Sequence, residues 1–173
     1  MSKNGDTNLN ARRRVVFGAA AVVSMAMGPG AAVGQPVAND VEMLRRQTGN
    51  LNVVRRYATA WTAGNRAAIG ACYHPEFTLH YFGSNPLSGD HVGLKASVAT
   101  LIEFGRRTNR RLISVVDAFA GPERAVLIAR ERFTRGELDA ELERLFVYTI
   151  KEERLHHCWI YDSDQALVDR FLA

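Results

Sequence analysis

Cysteine is scarce in this 173-residue chain: only Cys72 and Cys158 occur, with no Cys/His spacing of the kind that holds zinc. A disulfide framework is thereby excluded; one bridge between the two and a pair of buried thiols both remain compatible with the sequence. A glycine-rich phosphate loop and a Gly-x-Ser-x-Gly nucleophile elbow are also missing, which removes nucleotide-triphosphate hydrolysis and α/β-hydrolase chemistry. No apolar run reaches the roughly 20 residues a bilayer demands, so no stable membrane span is expected. The excess of one charge sign is small. The net charge is +4, and Lys3, Arg12, Arg13 and Arg14 against Asp6 put three of those charges in residues 1–34. The remainder holds 18 basic and 17 acidic residues, too even a balance for a nucleic-acid-binding face. Arg106-Arg107-Thr108-Asn109-Arg110-Arg111 reads as a solvated helix-to-strand turn.

What is present begins with a leader. Arg12-Arg13-Arg14-Val15-Val16-Phe17 opens an apolar run to about Met27 that Gly28-Pro29-Gly30 breaks, and Ala32-Val33-Gly34 offers small residues for cleavage. Adjacent arginines two residues before an aromatic resemble a twin-arginine export signal. Residues 1–34 are thus expected to be a cleaved signal to the periplasm or exterior, and 35–173 a single domain.

Residues 35–39 read as a linker. From Asp40, Val41, Leu44, Leu51, Val54, Ala58 and Trp61 recur at helical spacing, with a possible break at Gly49-Asn50 and a stop at Gly64. Asn65 caps a short helix through Tyr73. Phe77–Phe82 alternates as a strand, the loop Gly83–Gly89 follows, and Gly93–Arg106 is helical. Strands are predicted over Arg111–Ala120, Arg124–Thr134, Leu138–Ile150 and Leu155–Tyr161, then a helical tail over Asp164–Leu172. Helices first and a meander afterwards is an α+β pattern.

Two segments carry a family resemblance: Val53–Asn65 running on to Phe77–Gly89, and His157-Cys158-Trp159-Ile160-Tyr161-Asp162-Ser163-Asp164-Gln165-Ala166. Together they resemble the SnoaL-like branch of the ketosteroid isomerase / nuclear-transport-factor-2-like superfamily, over about 130 residues. The resemblance implies a cone-shaped α+β barrel in which N-terminal helices pack on a curved, mostly antiparallel sheet around an apolar pocket. It also implies site residues. His80 falls where the isomerases place their catalytic Asp, and an imidazole is suited to take a proton near neutral pH. Tyr57 falls where they keep the oxyanion-hole Tyr. Phe146 occupies the position of their second oxyanion donor, a protonated acid, and cannot donate; a steroid-isomerase activity is therefore disfavoured. Asp162 sits where the family's cyclases carry an acid.

Strand parity sets His156, Cys158, Ile160 and Asp162 on one face of the last strand and His157, Trp159 and Tyr161 on the other. It also puts Glu131 beside Ala129 and Phe133. Trp61, Phe82, Phe104, Glu131, Phe133, Phe146 and Tyr148 are the expected lining of the pocket. No metal and no cofactor are expected, since His156 and His157 alternate along their strand. Trp159, Tyr161, Arg130 and Arg132 mix aromatics and arginine as protein interfaces do, and family members pair through that face, so a homodimer is expected. The functional expectation is an exported, cofactor-independent isomerase, cyclase or dehydratase acting on a small hydrophobic carbonyl compound. The competing expectation is a non-catalytic small-molecule-binding or dimeric interaction module of the same fold.

Overall fold

The computed structural model describes residues 35–173, so the expected export leader lies outside the described residues. The order is α1 (Gln35–Thr62), α2 (Arg66–Ala71), β1 (Tyr73–Tyr81), β2 (Gly89–His91), α3 (Leu94–Thr108), β3 (Arg111–Ala120), β4 (Ala125–Arg135), β5 (Leu138–Lys151), β6 (Arg154–Asp162) and α4 (Gln165–Leu172). The strands form one curved, unclosed sheet in the order β2-β1-β6-β5-β4-β3, the cone-shaped α+β architecture expected. Among the described residues only β1 and β6 run parallel. Among the described residues no helix is long and apolar enough to cross a membrane.

Five assignments differ from expectation. Residues 35–39 are helical and no linker, and α1 passes through Gly49-Asn50 unbroken. The Asn50 amide is used across the fold instead: Nδ2 donates to the carbonyls of Gly121 and Pro122 at 3.0 and 3.1 Å, tying α1 to the β3–β4 turn. Asn65 does cap α2, accepting from the Ala68 amide, but α2 stops at Ala71. Tyr73 already pairs with Leu155, so β1 starts earlier than its alternation reveals; a wide register shift before Thr78 accommodates Pro75, which has no amide to give to a ladder. Gly89, expected as the end of a loop, instead opens a short edge strand, Gly89–His91, against β1.

Period-two burial builds the core. Ala125, Leu127, Ala129, Glu131 and Phe133 of β4 point inward, as do Leu142, Arg144, Phe146 and Tyr148 of β5. On β6 the rule breaks once. Thr149 pairs with His157 and Ile150 with Leu155, leaving His156 as a bulge. Leu155, Cys158 and Ile160 are therefore the buried residues, and His156 leaves the inner row that simple alternation assigns it.

The loop after β1 is pinned by the C-terminal helix. The Asp169 carboxylate accepts from the Ser84 amide (2.8 Å), Asn85 Nδ2 (2.6 Å) and Gln165 Nε2 (3.0 Å). Partial burial pushes its pKa up, but these three donors prevail and hold it below the usual aspartate range. Gly83 sits at φ +112°, and a Cβ there would lie 2.3 Å from Asp169 Oδ1. Glycine is required on both counts.

Candidate functional site

An open groove of about 1260 Å³ lies between α1, α2 and α3. Tyr57 and Trp61 form one wall, Ile69 and Tyr73 continue it, and Leu94, Val98, Leu101 and Ile102 of α3 face them. Val92 and Ile102, on the α3 side, are 76% and 67% exposed, leaving apolar surface open at the rim. Every described ionisable side chain in the lining is basic or phenolic: Arg66, Lys95, Arg110, Tyr57 and Tyr73. Among the described residues no carboxylate and no imidazole lines it.

Local structure explains the two polar groups at the inner end. Asn109 closes α3 in the left-handed conformation (φ 43°), reversing the chain between α3 and β3 where Arg110 stands. The Arg110 guanidinium sits 5.8 Å from the Trp61 ring centre and 5.5 Å from that of Phe104. Behind it, Nη1 is 3.5 Å from Glu131 Oε1. Tyr57 is buried on α1, and its hydroxyl accepts from the Tyr73 hydroxyl at 3.2 Å, which leaves its own proton free to donate. Burial raises the Tyr57 pKa, against the lowering influence of Tyr73 and Arg110, so the phenol stays protonated at neutral pH.

Below the groove the cone is filled. Arg144 is fully buried among the rings of Phe104, Phe133, Phe146 and Tyr81, with guanidinium-to-ring-centre distances of 4.4, 5.3, 5.5 and 6.0 Å. Its Nη1 donates to Glu131 Oε2 at 2.9 Å, and its Nε donates to Asp162 Oδ1. The Tyr81 hydroxyl donates to Asp162 Oδ2 at 3.2 Å. Burial disfavours the charged guanidinium, but Asp162 and Glu131 outweigh it and raise the Arg144 pKa. Glu131 Oε1 is the buried side-chain oxygen left without a hydrogen bond among the described residues.

The three residues expected to form a catalytic set do not converge. Phe77, Leu79 and Tyr81 occupy the inner face of β1, so His80 points to the outer face, its side chain 17% exposed. There Nδ1 donates to Asp90 Oδ1 (2.7 Å), and Nε2 shares a hydrogen bond with His157 Nδ1 (3.0 Å). The His80 ring stacks on Trp159 at 4.6 Å between centres. Asp162 is inside, but as the counter-ion of Arg144. Tyr57 alone of the three lines the groove. Of the expected lining, Trp61 does so. Phe104, Phe133, Phe146, Tyr148 and Glu131 are buried core beneath it, and Phe82 is 42% exposed against Tyr161. The aromatic residues read as a chamber are therefore its filling. Both cysteines are free and buried, and burial pushes the Cys158 thiol up to about 12.

A family model described as a SnoaL-like domain matches residues 54–167, from the second half of α1 to the first turn of α4. The chain belongs to the SnoaL-like family. Solved structures agree on the fold. Bal32a from a soil-derived mobile gene cassette is 21% identical, with a TM-score of 0.67 over 74% of this chain and 99% of that one. An NTF2-like protein from Burkholderia xenovorans LB400 is 19% identical, with a TM-score of 0.60 over 73% and 98%. TerC, co-crystallised with polyporic acid, is 15% identical, with a TM-score of 0.60 over 72% and 98%. No curated protein matches.

In this SnoaL-like chain the residue that sequence reasoning missed is Arg110. Embedded in a run of four arginines, it reads as solvated, yet Arg106 and Arg107 take Glu103 and leave the turn to it. The left-handed Asn109 was the available signal, because Asn after a helix marks a chain reversal.

Proposed function

We propose that the groove binds a small, largely apolar molecule bearing a carbonyl or anionic oxygen. The observation that carries this reading is the lining itself: apolar walls, a free phenolic proton at Tyr57, the Arg110 guanidinium inside, and Arg66 and Lys95 as further cations. A carboxylate or enolate oxygen would take charge-assisted hydrogen bonds from Arg110, and Trp61 would lie against a flat ring system. The family's fold serves both binding proteins and isomerase- or cyclase-type enzymes, and the groove favours binding because no described base faces into it. The test is a thermal-shift series with naphthalene, 1-naphthoate and 1-naphthylmethylamine on the full chain. Stabilisation by the carboxylate above the hydrocarbon and the amine supports the proposal; equal or amine-favoured stabilisation contradicts it.

One observation favours a catalytic second reading. Glu131 Oε1 has no hydrogen-bond partner among the described residues and lies 3.5 Å behind Arg110, so a ligand that displaced the guanidinium would meet a carboxylate oxygen able to take a proton. Turnover of a bound carbonyl compound that disappears in Glu131→Gln would support it, and turnover that persists there would contradict it.

Export and pairing belong to the same proposal. The basic-then-apolar leader supports export, tested by whether residues 1–39 carry a reporter out of the cytoplasm. The outer face supports a homodimer: Phe119, Val126, Val147, Trp159 and His80 make one row across five paired strands, flanked by Tyr161, and the pairs Arg130–Glu143 and Arg132–Asp139 supply polar edges. Light scattering on the purified chain distinguishes dimer from monomer.

A further inference from the structure

Four of the five histidines gather where β1 and β6 run parallel, and two of them lie away from the groove with a carboxylate between them. Ligand atoms of His74, Glu76 and His156 fall within 4.8 Å of one another. Glu76 Oε2 is 4.0 Å from His74 Nδ1 and 3.8 Å from His156 Nε2. We propose that these three side chains form a binding site for a divalent transition-metal ion of the zinc type, at the paired starts of β1 and β6.

Four features support the assignment. Two imidazoles and one carboxylate are a donor set that late first-row divalent ions favour. The His74 ring is buried and already oriented: the Glu76 amide donates to Nδ1 at 3.1 Å, marking it as the unprotonated nitrogen, while Nε2 faces Glu152 Oε2 at 3.6 Å. A ligating imidazole ordinarily presents its second nitrogen to a carboxylate in this way; on metal binding the amide bond to Nδ1 gives way. Both strands are irregular at this point. The β1–β6 register shifts between Tyr73 and Thr78, and the β5–β6 register shifts at His156. Those two departures turn His156 towards His74 (ring centres 5.1 Å apart), where a regular ladder would bury it. Finally, a cation already occupies the carboxylate: Lys151 Nζ donates to Glu76 Oε2 at 2.6 Å. Glu152 and Glu153, both at positive φ (49° and 56°), form the turn that carries Lys151 and Glu152 over the cluster.

Lys151 therefore competes with the metal, which fixes the direction of each test. Calorimetric titration of the full chain with zinc chloride at pH 7.5 is expected to show one ion per chain. Glu76→Gln and His156→Ala, both at solvent-accessible side chains, each weaken binding by at least about tenfold, whereas Lys151→Met strengthens it several-fold. Far-ultraviolet circular dichroism of each variant reports folding, and Glu76→Gln removes the ligand with the least change in shape. The proposal is overturned if the wild-type chain takes up no zinc, if either ligand variant binds as tightly as wild type, or if Lys151→Met binds more weakly. A groove without ligand would leave these results unchanged.

Discussion

Replacing Arg144 by methionine tests the buried ion cluster that fills the cone. Methionine keeps the apolar contacts with Phe104, Phe133 and Phe146 but removes the cation shared by Glu131 and Asp162. Asp162 then retains only the Tyr81 hydroxyl, and Glu131 only Arg110 at 3.5 Å. Removing one partner of a buried pair costs about 3–5 kcal/mol, because Asp162 is then left with neither water nor a counter-ion. Urea denaturation at pH 7.5, followed by tryptophan fluorescence, measures it. Adding Glu131→Gln and Asp162→Leu should recover at least half of the loss. A loss below about 1 kcal/mol, or one that the two further substitutions deepen, refutes the reasoning.

Other expectations follow from the same geometry. His80→Ala should leave 1-naphthoate affinity within about twofold of wild type, since the imidazole is on the outer face; titration of the variant checks this, and a larger loss returns His80 to the groove. Between pH 7 and 5 the native state should lose stability, because burial first, and neighbouring His156, His80 and Arg124 next, lower the His157 pKa. Its unfolded form protonates first, so stability falls as pH drops through about 6.5 and levels off below the folded pKa, which a melting-temperature series reads. Tyr161→Glu should shift any dimer to monomer in light scattering by placing charge beside the outer row. A thiol reagent should modify neither Cys72 nor Cys158 until urea unfolds the chain, both being buried.

The strands were legible because burial alternates strictly along β4: Leu127, Ala129, Glu131 and Phe133 inward, Ile128, Arg130 and Arg132 outward. Gly64 was legible too, at φ 63° just past α1. The same alternation was sufficient to send His80 outward, since Phe77, Leu79 and Tyr81 are three large apolar residues at even spacing. Position-by-position resemblance to the isomerases pointed the other way, and the packing preference of those three side chains prevails. Two features were not legible. A sequence pattern gives one strand's faces but not its parallel partner, so the meeting of His74 with His156 had no local signal. Nor does composition report volume. Phe104, Phe133, Phe146 and Tyr148 are equally apt to line a cavity or to fill one, and Arg144 among them decides for filling.

The claim on which the functional account depends is that Arg110 and Tyr57 receive the oxygen of an apolar ligand beside Trp61. In a Trp159→Phe background Trp61 is the single tryptophan, and its fluorescence on titration with 1-naphthoate reports that site directly. Saturable quenching, weakened by at least about tenfold in Arg110→Met as loss of a charged hydrogen bond requires, is the predicted result. Equal quenching curves with and without Arg110, or a response that never saturates, would contradict it.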